Sequence, residues 1–169
     1  MQITPEIKAQ LEEQKKHCVF CKIISGEIPG KKVFEDNGTV AFLDINPAVK
    51  GHVLFMLKEH YPMPAYVPGD EFKHKFSLIP GLSKAIKSAI IKTGMNVFIA
   101  VGGVAGQQVG HFAVHLIPRE SGDGFFNFLF SKFPGKNENK EIEMLKNNLP
   151  IMMRNHFGRH PANWHVGKG

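Results

Sequence analysis

Residues Ala105 to Arg119 read AGQQVGHFAVHLIPR, and the fold turns on this stretch. Gly106 and Gly110 mark a turn, and the residues after them alternate. Side chains on a strand point to opposite faces in succession. His111, Ala113, His115 and Ile117 therefore share one face of a strand expected over His111 to Ile117. Phe112, Val114 and Leu116 share the other and face an apolar layer. The result is a polar row on one side of a sheet, entered through a loop rich in backbone N–H groups.

Moving outward, Gly102 and Gly103 join that strand to another over Asn96 to Val101. Leu82 to Lys92 repeats Leu82, Ile86 and Ile90 every four residues, which predicts a helix, with Gly94 suited to its stop. Residues 61–81 hold Pro62, Pro64, Pro68 and Pro80 and are expected to be a loop with a short helical piece over Glu71 to Phe76. Gly51 to Leu57 is nearly all apolar, the pattern of a central strand covered on both faces. Asp36-Asn37-Gly38 is a hairpin signal between strands over Lys32 to Glu35 and Thr39 to Asp44. Val40 and Phe42 alternate there against Ala41 and Leu43. Phe20, Ile23 and Ile24 give a short helix one apolar side. Thr4-Pro5-Glu6 starts a charged N-terminal helix with a threonine cap and proline in the first turn.

Past Gly124, five phenylalanines between Phe125 and Phe133 are too many for a solvated surface. Asn137 to Leu149 reads as an amphipathic helix with Ile142, Leu145 and Leu149. Antiparallel strands with helices set apart predict an α+β fold of about five strands with one long helix. The expected organisation is a helical extension over 1–16, a domain over 17–125 and a C-terminal extension over 126–169. That last part is expected to pack on the domain or on a dimer partner.

The chain has 169 residues and a formal charge of +6, which favours anionic ligands. Its lysines are scattered without interleaved aromatics, so nucleic acid is not the expected partner. No apolar run is long enough to span a bilayer and the N-terminus lacks a signal-peptide core; a cytoplasmic protein is expected. The only cysteines, Cys18 and Cys21, form a Cys-x-x-Cys pair, which is a metal half-site, a redox motif or chance.

Four blocks in order resemble the histidine triad superfamily of nucleotide hydrolases and transferases. They are CVFCKIISGEIP (Cys18 to Pro29), FEDNGTVAFLDINP (Phe34 to Pro47), GHVLFMLKEH (Gly51 to His60) and the opening stretch. The family signature is His-apolar-His-apolar-His followed by two apolar residues. His111 and His115 match its first and third histidines, and Ala113 stands at the middle one. In the family that middle histidine attacks phosphorus. The position usually held by Asn or Gln, eleven before the first triad histidine, is Ala100.

The resemblance implies a zinc-containing branch with the metal on Cys18, Cys21, His60 and His111. Such a set is a closed structural site without an open position for water. It further implies an AMP-like ligand, its base among Val19, Phe20, Ile23, Phe42 and Ile45 and its ribose diol on Asp44. His115 would meet a phosphate oxygen, helped by Gln108 and the N–H groups of the Gly103 to Gly110 loop. Without an imidazole at 113 no nucleotidyl-histidine forms. His115 sits about 7 Å further along the strand, too far to replace a nucleophile in line, but it could serve as general acid or base. Three readings follow: a nucleotide-binding protein without triad chemistry, a hydrolase of another class using His115 on a non-nucleotide heterocycle, and a triad enzyme engineered to lack its nucleophile. A homodimer is the family's usual assembly.

Overall fold

The computed structural model describes residues 4–124, 140, 143–149 and 151. Gln2–Asp123 form one compact unit, and Gly124–Gly169 belong to a second. In the second, residues 143–149 are helical, and Met144, Leu145, Leu149 and Ile151 are exposed. Ile142, the phenylalanine-rich segment and the histidine-containing tail lie outside the described residues.

The first unit is α+β. Its order is α1 (Pro5–His17), α2 (Val19–Ser25), β1 (Lys32–Glu35), β2 (Thr39–Leu43), β3 (Val53–Leu57), α3 (Gly69–Ile90), β4 (Gly94–Phe98) and β5 (Ala113–Arg119). The strands form one antiparallel sheet in the order β1-β2-β3-β5-β4. All five residues of β3 are buried, as a central strand requires. Asp36 shapes the β1–β2 turn by accepting from the amides of Gly38 and Thr39 and from the Thr39 hydroxyl.

Strand alternation divides the core. Ala41, Val53, Phe55, Leu57, Phe112, Val114 and Leu116 face α3, while Val40, Phe42, Leu54 and Met56 face Phe20, Ile23 and Ile24 of α2. The helix α2 ends at Gly26 in the left-handed conformation, and α1 carries no buried residue. Thr4 caps α1 through its hydroxyl and the Ile7 amide.

Several expectations need correction. The loop over 61–81 and the helix over Leu82 to Lys92 are largely one helix: α3 runs unbroken for 22 residues from Gly69, with Pro80 inside it. A proline there removes one helical hydrogen bond and costs about 3 kcal/mol. Phe72, Phe76, Ile79, Leu82 and Ile86 pack the helix on the sheet core; full burial of such a side chain is worth about 1.5–3 kcal/mol, so partial burial of five together exceeds that cost. The helix stops at Ile91, which takes the left-handed conformation (φ 54°), not at Gly94. Gly94 instead opens β4, where a Cβ would lie 3.1 Å from that of Arg119. Its strand accordingly covers Gly94–Phe98 and not Asn96 to Val101.

The strand expected over His111 to Ile117 starts at Ala113 and reaches Arg119. Its partner β3 ends at Leu57, and the last pair is Met56 with Ala113. Beyond it the Leu57 carbonyl accepts from the His111 ring, 2.9 Å from Nε2, instead of from a strand amide.

Candidate functional site

Two groups of polar side chains lie on the α2 side of the sheet. The first contains Cys18 and Cys21 from the start of α2, His60 from the turn after β3, and His111 from the approach to β5. Cys21 Sγ is 3.3 Å from His60 Nδ1 and 3.5 Å from His111 Nδ1. Cys18 Sγ is 3.6 Å from His111 Nδ1. All four donor atoms fall within 4.8 Å of one another. A tetrahedral ion bound at about 2.3 Å to sulfur and about 2.0 Å to nitrogen has S···N edges of about 3.5 Å, so the observed spacings fit one. The donor chemistry fits as well: two thiols, and two imidazoles that face them with the same nitrogen. Cys18 is held well below the usual thiol range by the hydrogen bond with Cys21 and by His111, and Cys21 is correspondingly pushed up. His111 Nε2 donates to the Leu57 carbonyl, which leaves Nδ1 as the lone-pair nitrogen toward the cysteines. Such an outer partner fixes the tautomer of a ligating histidine.

The second group lies in a cleft of about 410 Å³. Every residue expected to bind ligand lines it: Val19, Phe20, Ile23, Phe42, Asp44, Ile45, Gln108 and His115. Ala113 and Ala100 line it too. These side chains differ in character. Phe42 is core, whereas Ile45 is 87% exposed and offers apolar surface that nothing covers. Asp44 accepts the Asn46 amide on Oδ1 at 2.8 Å, which shapes the Asn46-Pro47 turn.

His52 is the residue that sequence reasoning missed. It is 5% exposed, and its Nε2 lies 3.0 Å from His115 Nδ1. Its Nδ1 accepts the Ala48 amide at 3.2 Å, with Asp44 Oδ2 3.4 Å away. Burial lowers both His52 and His115, Asp44 opposing it, so both rings favour the neutral form. The signal was available: His52 and Leu54 share a face by strand alternation, and Leu54 pairs with His115.

The loop before β5 also differs from expectation. Its amides at Ala105, Gly106 and Gln107 are bonded within the loop to Gly102 and Gly103 carbonyls, so they do not form part of an anion cradle. Gln107, beside the expected Gln108, pins the loop. Its Oε1 accepts the Gly102 amide, and its Nε2 donates to the Pro62 and Val109 carbonyls.

The HIT domain family matches residues 25–122. The chain belongs to this family. It is 46% identical over 111 residues to an uncharacterized HIT-like protein of Methanocaldococcus jannaschii, covering 63% of this chain and 82% of that one. It is 38% identical over 107 residues to adenosine 5′-monophosphoramidase HNT1 of Candida albicans, covering 61% and 70%. Its fold matches a zinc-bound histidine triad family protein from Mycobacterium smegmatis with a TM-score of 0.61 and 31% identity, over 64% of this chain and 79% of that one. Within the HIT frame, Ala113 at the start of β5 puts a methyl between His111 on the approach and His115 on the strand. Among the described residues no helix is long and apolar enough to cross a membrane.

Proposed function

We propose that this chain is a zinc-stabilised HIT protein that binds a purine nucleoside monophosphate, AMP-like, without forming a nucleotidyl-histidine. The observation that carries the reading is the single cleft uniting an apolar slot, the Asp44 carboxylate and the His52–His115 pair around the Ala113 methyl. The base lies among Val19, Phe20, Ile23, Phe42 and Ile45. Asp44 has Oδ2 left for the ribose diol, since Oδ1 serves the turn. His115 and Gln108 meet the phosphate. The Candida relative, named adenosine 5′-monophosphoramidase HNT1, supports the nucleotide class.

Zinc would be held by Cys18, Cys21, His60 and His111, supported by the donor spacing and by the zinc-bound relative. When bound it supplies a structural tie, because four protein donors leave no open position for water. Reduced thiols in this set suit the cytoplasm. Homodimerisation would use the edge strand β4, where Val97 and Phe98 are each 47% exposed. Light scattering checks this: a dimer is expected at micromolar concentration, and a monomer rejects it.

Isothermal titration with AMP, paired with an assay of ammonia release from adenosine 5′-monophosphoramidate, tests the function. Saturable AMP binding with no ammonia is expected. Turnover, or no heat with AMP, overturns the reading. A second reading rests on the Asp44–His52–His115 run, in which His115 could take a proton from a water beside Ala113 during hydrolysis of another heterocycle. It requires a pH–rate profile that His115→Ala abolishes.

A further inference from the structure

The cysteine–histidine group is enclosed, and an ion held there needs a way in. Cys18, His60 and His111 are buried, and Cys21 is half-buried. The ligand cleft touches the group at His111. That ring shows the cleft no free lone pair, because Nε2 is on the Leu57 carbonyl and Nδ1 faces the two cysteines. A second groove, of about 620 Å³, touches the group at Cys18. Glu13 and His17 from the end of α1 line it, together with Pro62 and Gly110.

Glu13 and His17 stand one helical turn apart, so their side chains meet on one face. Glu13 Oε1 is 3.5 Å from His17 Nε2, and both side chains are exposed. Two donors about 2.0–2.2 Å from a tetrahedral ion are about 3.4 Å from each other, so the pair is spaced to share one. Lys16 occupies only the other carboxylate oxygen, Oε2, at 2.6 Å, and Lys15 turns to Glu59. The C-terminal end of α1 adds partial negative charge at the same place. His17 is followed directly by Cys18, so the next donor along the groove is a thiol of the buried group. The pair also precedes residues 25–122, the part of the chain that the HIT family matches.

We infer that Glu13 and His17 form an entry site, which takes a divalent ion of the zinc class from solution and passes it along the groove to Cys18. The inference rests on the zinc reading above and adds residues outside the four-donor set. Holding the ion at the rim makes its capture by Cys18 an intramolecular step, with the higher effective concentration that such a step brings. Each thiol that binds the ion releases its proton to solvent. A waypoint of this kind speeds entry and exit alike and leaves the affinity of the buried group unchanged.

The test follows both directions in the full-length, reduced protein. First, the zinc-loaded chain is mixed with a chromophoric chelator and the rate of release is read. Then the stripped chain is reloaded with Co²⁺, and the thiolate-to-cobalt absorption gives the rate, the stoichiometry and the affinity. In Glu13→Gln/His17→Gln both rates should fall about tenfold, with stoichiometry and affinity as in the parent. Glu13→Asp keeps both donors and should exchange metal at the parent rate. Asp70→Asn makes the same change in net charge at an exposed site on α3 and should also leave the rates alone. Unchanged rates in the double variant overturn the inference. So does an affinity that falls with them, which would make the pair part of the buried site, or an equal slowing in Asp70→Asn, which would leave only bulk charge. A parent chain that holds no zinc and gives no thiolate-to-cobalt absorption removes the zinc reading and the entry site together; a parent that loads normally beside an unslowed double variant removes the entry site alone.

Discussion

Two side chains carry the largest consequences at the scale of single residues: Ala113 on β5, which faces the cleft, and Lys75 on α3, which packs against Phe112 on the other side of the sheet. Ala113 puts a methyl into the cleft at the position that the family signature gives to its middle histidine, and Ala100 lines the same cleft. Ala113→His is expected to bind AMP as the parent does but to release ammonia from adenosine 5′-monophosphoramidate only feebly, because the Ala100 position still lacks an amide. Vigorous turnover from this one change would show an isolated loss of the nucleophile, as engineering would make. Lys75 is fully buried in α3. Its Nζ donates to the Phe112 carbonyl at 3.1 Å and stands 3.7 Å from the Phe112 ring centre. Burial pulls its pKa down to about 7. An unfolded lysine titrates near 10.4, so between those values the unfolded chain binds more protons and stability rises with pH. Below pH 7 the whole penalty is present. Lys75→Met should therefore raise stability by a few kcal/mol at pH 7 and flatten the rise toward pH 10. Urea titrations at pH 7 and 9.5 check both. The lowered histidines His52, His60 and His115 act in the same direction over a lower range: no penalty is present above about pH 6.5, and stability is lost as pH falls below it.

Elements follow the sequence where periodicity and packing agree. The Asp36 turn, the buried β3 and the two-faced alternation of β2 and β5 are all legible, because one slip of register would turn every apolar side chain to the wrong side. α3 was misread because proline and glycine are local signals, while the stripe from Phe72 to Ile86 that overrides them gains its energy from a sheet distant in sequence. Lys75 hid for the same reason: it occupies a stripe position three after Phe72, where a lysine reads as the solvated side. Pro80→Ala should accordingly stabilise the protein by about 1–3 kcal/mol, measured by thermal unfolding; a loss would mean the ring packs in a way the helix needs. Gly51 makes the opposite case. It has φ of +85°, and a Cβ there would lie 2.5 Å from Ile90 Cδ1. Gly51→Ala should destabilise by about 1–3 kcal/mol, visible in the same melt. At the site, the cysteine–histidine group and the cleft-lining residues were legible only through the family resemblance, since the Cys18–Cys21 spacing by itself left a metal half-site, a redox motif and chance open. His52 and Gln107 were not, since their importance lies in which nitrogen or amide faces which partner, and only three-dimensional placement decides that.

Across the whole molecule, the cysteine–histidine group joins α2, the turn after β3 and the approach to β5. If zinc fills it, Cys18→Ser should lower the bound metal measured by plasma emission and loosen α2 from the sheet. Chelation of the parent should reproduce the same drop in melting temperature. Because α2 carries Val19, Phe20 and Ile23 of the cleft wall, AMP affinity should fall with metal content; unchanged affinity would separate the two sites.

The group also imposes an order in time. Cys18 and His111 are 93 residues apart. At translation rates of about 5–20 residues per second, the thiol pair leaves the ribosome roughly 5–20 s before the last imidazole. During that interval the cysteines have no completed shell. Oxidation of the two thiols is expected to be easiest in that window, before the fold that buries Cys18 exists.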